Sequence, residues 1–218
     1  MNGVRDVMGA RFEANTRLVS HEATDPTIDS QIVSLQSSGV DALVCGIIPR
    51  FAAQAIRRVH DIGWRPMFFM SNVSVSGSVV MQPAGPEKGV GLITSDYRKD
   101  QSDATWANDP GMNEWREFMR RYMPEVSERD LGDNNYTYGY AVATTMIQVL
   151  RQCGQDFSRE NIMRQAASVA PMDIATLLPG VKVGTSATNF HPIRHMQLQR
   201  WDGRAWVRFG NVIEGANI

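Results

Sequence analysis

Apolar residues along this chain switch repeatedly between a helical and a strand-like spacing. Val4, Val7, Met8 and Phe12 share one helical face and predict a helix over 2–12, and the run 16–21 that follows predicts a short strand. Asp25 and Pro26 read as an N-cap with proline at the first helical position, opening a helix that carries Ile28, Ile32, Val33 and Leu35 and stops at Gly39. Residues 42–47 form a continuous apolar run suited to a strand covered on both faces. The unit then repeats, with a helix over 50–60 ended by Gly63, a buried strand over 67–70, a short helix over 76–82 and a strand over 90–95. Such alternation with short connections predicts a doubly wound parallel α/β sheet with right-handed crossovers.

The pattern changes near Tyr97, where the polar stretch 98–103 reads as a crossing segment. Asp109 and Pro110 open a predicted helix that buries Trp115, Phe118, Met119 and Tyr122 and ends before Pro124, and 125–135 is expected as loop. The longest predicted helix runs over 138–153 with Ala143, Met146, Ile147, Leu150 and Cys153 on its apolar stripe, and Ser158 caps another helix through Ala167. Residues 196–201 and 204–209 flank Asp202 and Gly203, a signal for a two-residue type I′ hairpin at the C-terminal end. No repeat of solenoid length and no low-complexity tract is present.

A helix stands at the head of this alternation with no strand before it. In a 2-1-3-4-5 sheet the first strand is central, so the expectation is a sheet of the segments near Leu18, Leu43, Phe68 and Leu92 with a gap at its centre. The chain then reads as the later part of a larger two-lobed protein.

Composition narrows the function. The 218 residues are 43% hydrophobic, enough for a packed core. A net charge of −1 gives no electrostatic footprint for nucleic acid or an anionic membrane, which favours a small-molecule ligand. Cys45 and Cys153 lie in apolar segments and are expected as buried thiols. No stretch reaches membrane-span length, and residues 1–3 carry no export signal.

Candidate chemistry is sparse. His191 and His195 have the H-x-x-x-H spacing, but Pro192 opposes a helix there, and an extended chain sets the pair about 13 Å apart, so no metal site is expected. The 85–91 segment has glycines and a lysine without the order of a phosphate loop. None of Ser71, Ser74, Ser76 and Ser78 sits in a nucleophile elbow, so neither a cofactor nor enzymatic catalysis is expected. The loops Ile48, Pro49, Arg50, Phe51 and Asn72, Val73, Ser74 follow buried strands, on the edge where open α/β sheets bind ligands. Tyr136, Tyr138 and Tyr140 cluster at a helix start, the first two at a loop–helix junction where amphipathic rings can face a cleft.

Segments 24–35, 51–56, 61–64, 109–115, 160–166 and 196–200 together resemble the substrate-binding proteins of ABC transporters in the branched-chain amino acid (leucine/isoleucine/valine) group. The resemblance covers nearly the whole chain. It implies a type I periplasmic-binding-protein fold: 1–97 as one α/β lobe without its first strand, 98–174 as helices of a partial second lobe, and 175–218 as the return to the first lobe with a terminal hairpin. It further implies a periplasmic location, a membrane permease as partner, and ligand contacts at Ile48 to Phe51, Asn72 to Ser74, Tyr136 and Tyr138. Relatives that bind leucine-type amino acids place a carboxylate near Asn72. This chain has no acidic residue between Phe68 and Met81, which leaves room for an aromatic or aliphatic carboxylate ligand with Arg50 as its anion partner. The alternatives are a ligand-sensing receptor domain of the same fold and, further off, a flavodoxin-like or hydrolase enzyme.

Overall fold

Three short parallel strands followed by an antiparallel hairpin build one five-stranded sheet, with β1 (Ala42–Cys45), β2 (Met67–Met70), β3 (Ile93–Asp96), β4 (His195–Trp201) and β5 (Trp206–Glu214) hydrogen-bonded in that order. The structure is a computed structural model that describes residues 2–215. β1 to β3 run parallel, and β4 and β5 add antiparallel. Helix α4 (Pro49–Asp61) is fixed by local signals: proline in its first turn and Gly63 at φ +68° just past its end. It buries Phe51, Ala52, Ala55, Ile56 and Val59 against Leu43, Phe68, Met70 and the hairpin tryptophans Trp201 and Trp206. The indoles lock this core to its connections, because Trp201 Nε1 donates to Pro86 O at 2.8 Å and Trp206 Nε1 to Val75 O at 2.9 Å.

A second apolar cluster lies beyond the sheet. Helix α6 (Pro110–Tyr122) starts at Asp109, whose carboxylate accepts the Met112 amide, and packs Met112, Trp115 and Met119 against Ile174, Leu177, Leu178, Val181 and Val183. Helix α8 (Asn134–Gln152) adds Ala141 to that cluster, then Val149 and Cys153 to a third with Val169 and the flank of helix α9 (Arg159–Ala166). Both cysteines are buried free thiols.

Several sequence expectations are corrected. The five described strands are contiguous, with no central gap, and 16–21 joins no ladder. The sheet ends instead at β1. Asp41 O and Cys45 O accept the amides of Met67 and Ser71, so Ala42 and Val44 direct their backbone groups to the open side. β1 also alternates in burial and is not covered on both faces: Leu43 is buried and Val44 is 61% exposed. In the opening helices, α1 (Asn2–Met8) and α2 (Phe12–Asn15), Phe12 is buried while Val7 is exposed. Helix α3 (Asp29–Ser37) starts after Ile28, because Asp25 accepts the Glu22 amide instead of capping.

The 76–82 helix is a π-turn over Gly77–Met81 running into the short α5 (Gln82–Ala84). Phe118 and Tyr122 are exposed. The expected loop 125–135 contains helix α7 (Glu128–Leu131) and the first turn of α8. Ala143, Met146, Ile147 and Leu150 on α8 lie on its exposed side, and Asn134, Thr137, Ala141 and Val149 are the ones packed inward. The hairpin loop spans four residues, 202–205, with Asp202 Oδ1 accepting the amides of Arg204 and Ala205.

Candidate functional site

The carboxyl ends of β1, β2 and β3 lie side by side, and each opens into a short connection: Ile48 with the first turn of α4 through Phe51, the 3-10 turn Asn72–Ser74, and Tyr97 with Arg98. Parallel strands leave backbone groups free at this edge, which makes it the ligand side of an open α/β sheet. Hydrogen bonds tie the three loops together. Ser74 Oγ donates to Ile47 O, joining the first two, and Arg98 Nη2 donates to Asn72 O at 2.7 Å, joining the second and third.

Arg98 is only 6% exposed, as is its ion-pair partner Asp96 at the end of β3. Asp96 Oδ1 accepts the amides of Tyr97 and Arg98 and Arg98 Nε, while Oδ2 accepts Nη2 at 2.9 Å. Burial works against the guanidinium charge, but Asp96 outweighs it, so the Arg98 pKa is raised and the guanidinium stays charged. The Tyr97 ring lies 5.2 Å from the guanidinium. Burial raises the Tyr97 pKa first, Arg98 partly counters it, and Asp96 and Tyr138 add to it, so the phenol is a neutral donor at physiological pH. Tyr138, near the start of α8, is close enough to Tyr97 to contribute electrostatically to that rise.

The segment beyond this corner is stitched to the second cluster. Tyr97 O accepts the Leu178 amide and the Lys99 amide donates to Thr176 O, while Lys99 Nζ reaches Asp109 and Ala175 O at 2.8 and 2.9 Å. Buried Asp100 accepts Ser102 N, Ser102 Oγ and the Gly77 amide, and burial pushes its pKa up.

The predicted residues fall into two groups. Ile48 and Val73 are exposed along this wall, Pro49 and Asn72 are half-buried, Tyr138 is exposed near the start of α8, and Tyr136 is partly buried against the second cluster. Phe51 and Ser74 are withdrawn from solvent, the first as a fully buried core ring and the second bonded to Ile47 O. Arg50 is exposed, with its Nη2 donating to Asp25 O and its guanidinium 4.5 Å from the Phe51 ring. Sequence patterning places Tyr97 and Arg98 only at the start of a crossing segment. The signal that identifies them is their position directly after the third parallel strand, the same rule that singles out the other two loops.

Two open depressions of about 470 and 480 Å³ lie elsewhere, one lined by Ser78, Gln82, Pro83 and Arg129, the other by residues including Asp103, Gln197, Trp206 and Arg208. Neither includes a residue of the three loops. An open wall encloses no volume, so the chemistry of the sheet edge is the better guide here. Among the described residues no group of three or more His, Cys, Asp or Glu could hold a metal, and no helix is long and apolar enough to cross a membrane.

Comparison with known proteins agrees with this architecture. Residues 5–205 match the family described as periplasmic binding protein, and the chain belongs to that family. Its fold is similar to a branched-chain amino acid ABC transporter from Thermus thermophilus with bound valine (TM-score 0.78, 14% identity, covering 98% of this chain and 57% of that one). It is also similar to a fatty acid ABC transporter substrate-binding protein from Thermomonospora curvata (0.64, 20%, 89% and 49%) and a leucine binding protein from Thermotoga maritima (0.61, 12%, 91% and 51%). The chain thus spans about half the length of these structures. No curated protein matches it by sequence. The fold is that of a type I periplasmic binding protein.

Proposed function

We propose that this periplasmic binding protein serves an ABC importer as part of its solute-binding component, holding a branched-chain amino acid or a related small carboxylate and presenting it to a membrane permease from the periplasmic side. The observation that carries this reading is the wall itself: three connections at the carboxyl edge of parallel strands, knitted by Arg98 to Asn72 O. Ile48 and Val73 give that wall apolar contact surface suited to an aliphatic or aromatic tail. The reading needs capture and release and no bond chemistry.

Binding should be weak in this chain, because a ligand on one wall keeps much of its surface in water. Calorimetric titration with valine, leucine, isovalerate and benzoate tests the proposal. Saturable millimolar binding of one of them is the expected result. Absence of binding by all four at tens of millimolar would overturn it.

A further inference from the structure

The corner formed by Arg98 and the Tyr97 ring 5.2 Å away, with Tyr138 of α8 near enough to act electrostatically on Tyr97, offers donors and no free acceptor carboxylate. Arg98 is almost wholly withdrawn from solvent, with Nε and Nη2 engaged by Asp96 and Asn72 O. Its Nη1 has no hydrogen-bond partner among the described residues and is not sealed from solvent. The hydroxyls of Tyr97 and Tyr138 likewise have no hydrogen-bond partner among the described residues, whereas that of Tyr140 donates to Glu114. Of the two carboxylates beside the corner, Asp96 has both oxygens on Arg98 and its own loop amides, and Asp100 has both on Ser102 and Gly77.

We infer that this corner reads the head group of the ligand, and that the group it takes is an acceptor without an ammonium: a carboxylate that accepts from Arg98 Nη1 and the two phenols while its tail lies along Val73 and Ile48. The inference rests on the solute-binding reading above and narrows its ligand class. A guanidinium already held in place by Asp96 and Asn72 O loses little freedom on meeting the ligand, and a planar carboxylate can accept from several donors at once. An α-amino acid brings an ammonium that would need an acceptor, and both neighbouring carboxylates are already engaged. A buried or half-buried charge left unpaired weakens binding. Arg98 thereby takes the anion-partner role that the family resemblance left open to Arg50.

The test is NMR of the full 218-residue chain labelled in its tyrosine rings, titrated separately with isovalerate, benzoate, isovaleramide and leucine. The two carboxylates should shift the Tyr97 and Tyr138 signals saturably, leaving those of Tyr122 unmoved, and should bind at least about tenfold more tightly than isovaleramide or leucine. Tyr97→Phe and Tyr138→Phe remove one hydroxyl each and keep the ring, so each variant should fold and lose about tenfold in carboxylate affinity, as for a hydrogen bond to a charged group. Arg98→Lys should lose more. Its thermal melt is recorded beside the titration, and the tyrosine variants decide the matter if it unfolds. Leucine or the amide binding as tightly as isovalerate, or carboxylate binding indifferent to both tyrosine variants, overturns the head-group assignment while leaving solute capture standing. No binding by any probe overturns both.

Discussion

Two glycines in helices should respond to alanine with opposite signs. Gly111 lies in the first turn of α6, and a Cβ there would sit 2.8 Å from Ala175 O, 3.0 Å from its Cα and 3.1 Å from its Cβ. Carbon contacts relax to about 3.5–4.0 Å, so about 0.5–1 Å of separation has to be found. Ala175 cannot give it cheaply. Its carbonyl holds Lys99 Nζ, and Thr176 beside it accepts the Lys99 amide and donates from its hydroxyl to Thr137 O. Shifting α6 instead disturbs Met112 and Trp115, both essentially sealed in the second cluster. Overpacking of this kind costs about 1–3 kcal/mol, and the helix gain from Gly to Ala returns at most about 1 kcal/mol, less in a first turn. Gly111→Ala should therefore destabilise by about 1–2 kcal/mol. Gly139, inside α8, has nothing within 4 Å of the position a methyl group would take, so Gly139→Ala should stabilise by up to about 1 kcal/mol. Urea unfolding followed by tryptophan fluorescence reads both, with Trp115 as the local reporter. A Gly111→Ala chain as stable as the original would refute the close approach of α6 to the 175 segment.

Three further outcomes are expected. Burial alone would raise the Asp109 pKa, but the Lys99 ammonium and the Met112 and Gly111 amides outweigh it and hold it below 3.8, so its contribution is complete above that pH and fades as pH falls through the lowered value. Asp109→Asn keeps a good N-cap and should cost about 1 kcal/mol at neutral pH, a difference that closes in acid; a gap that persists in acid urea melts would show that charge is not its source. Asp100 runs the other way, since burial raises its pKa and stability should fall as pH climbs from 3.8 through the raised value; Asp100→Asn should flatten that slope, and an unchanged slope counts against Asp100 as its origin. Val44 stands on the open edge of β1, so Val44→Lys should reduce self-association in sedimentation velocity, and equal association by both chains would argue that this edge plays no part.

Local chemistry makes a good part of this fold legible in the sequence. The Met67–Met70 strand, helix α4 within a residue at each end, and the caps at Asp109 and Ser158 all follow from signals carried within a few residues: proline at a helix start, glycine past its end, and side-chain oxygens that accept the Met112 and Asn161 amides. The loops after the first two strands are legible for the same reason, because strand direction alone fixes which edge they share. Other features depend on partners distant in sequence. Residues 16–21 have a strand's pattern but no ladder, since pairing requires another chain segment within hydrogen-bond reach. α8 has apolar residues on two sides, and the packing of Ala141 with the second cluster and of Val149 and Cys153 with Val169 decides which side is covered. In the sequence Arg98 is one charge in a polar run. Its burial, its pairing with Asp96 and its bond to Asn72 O exist only because β2 and β3 lie side by side, which brings two loops 26 residues apart within 2.7 Å.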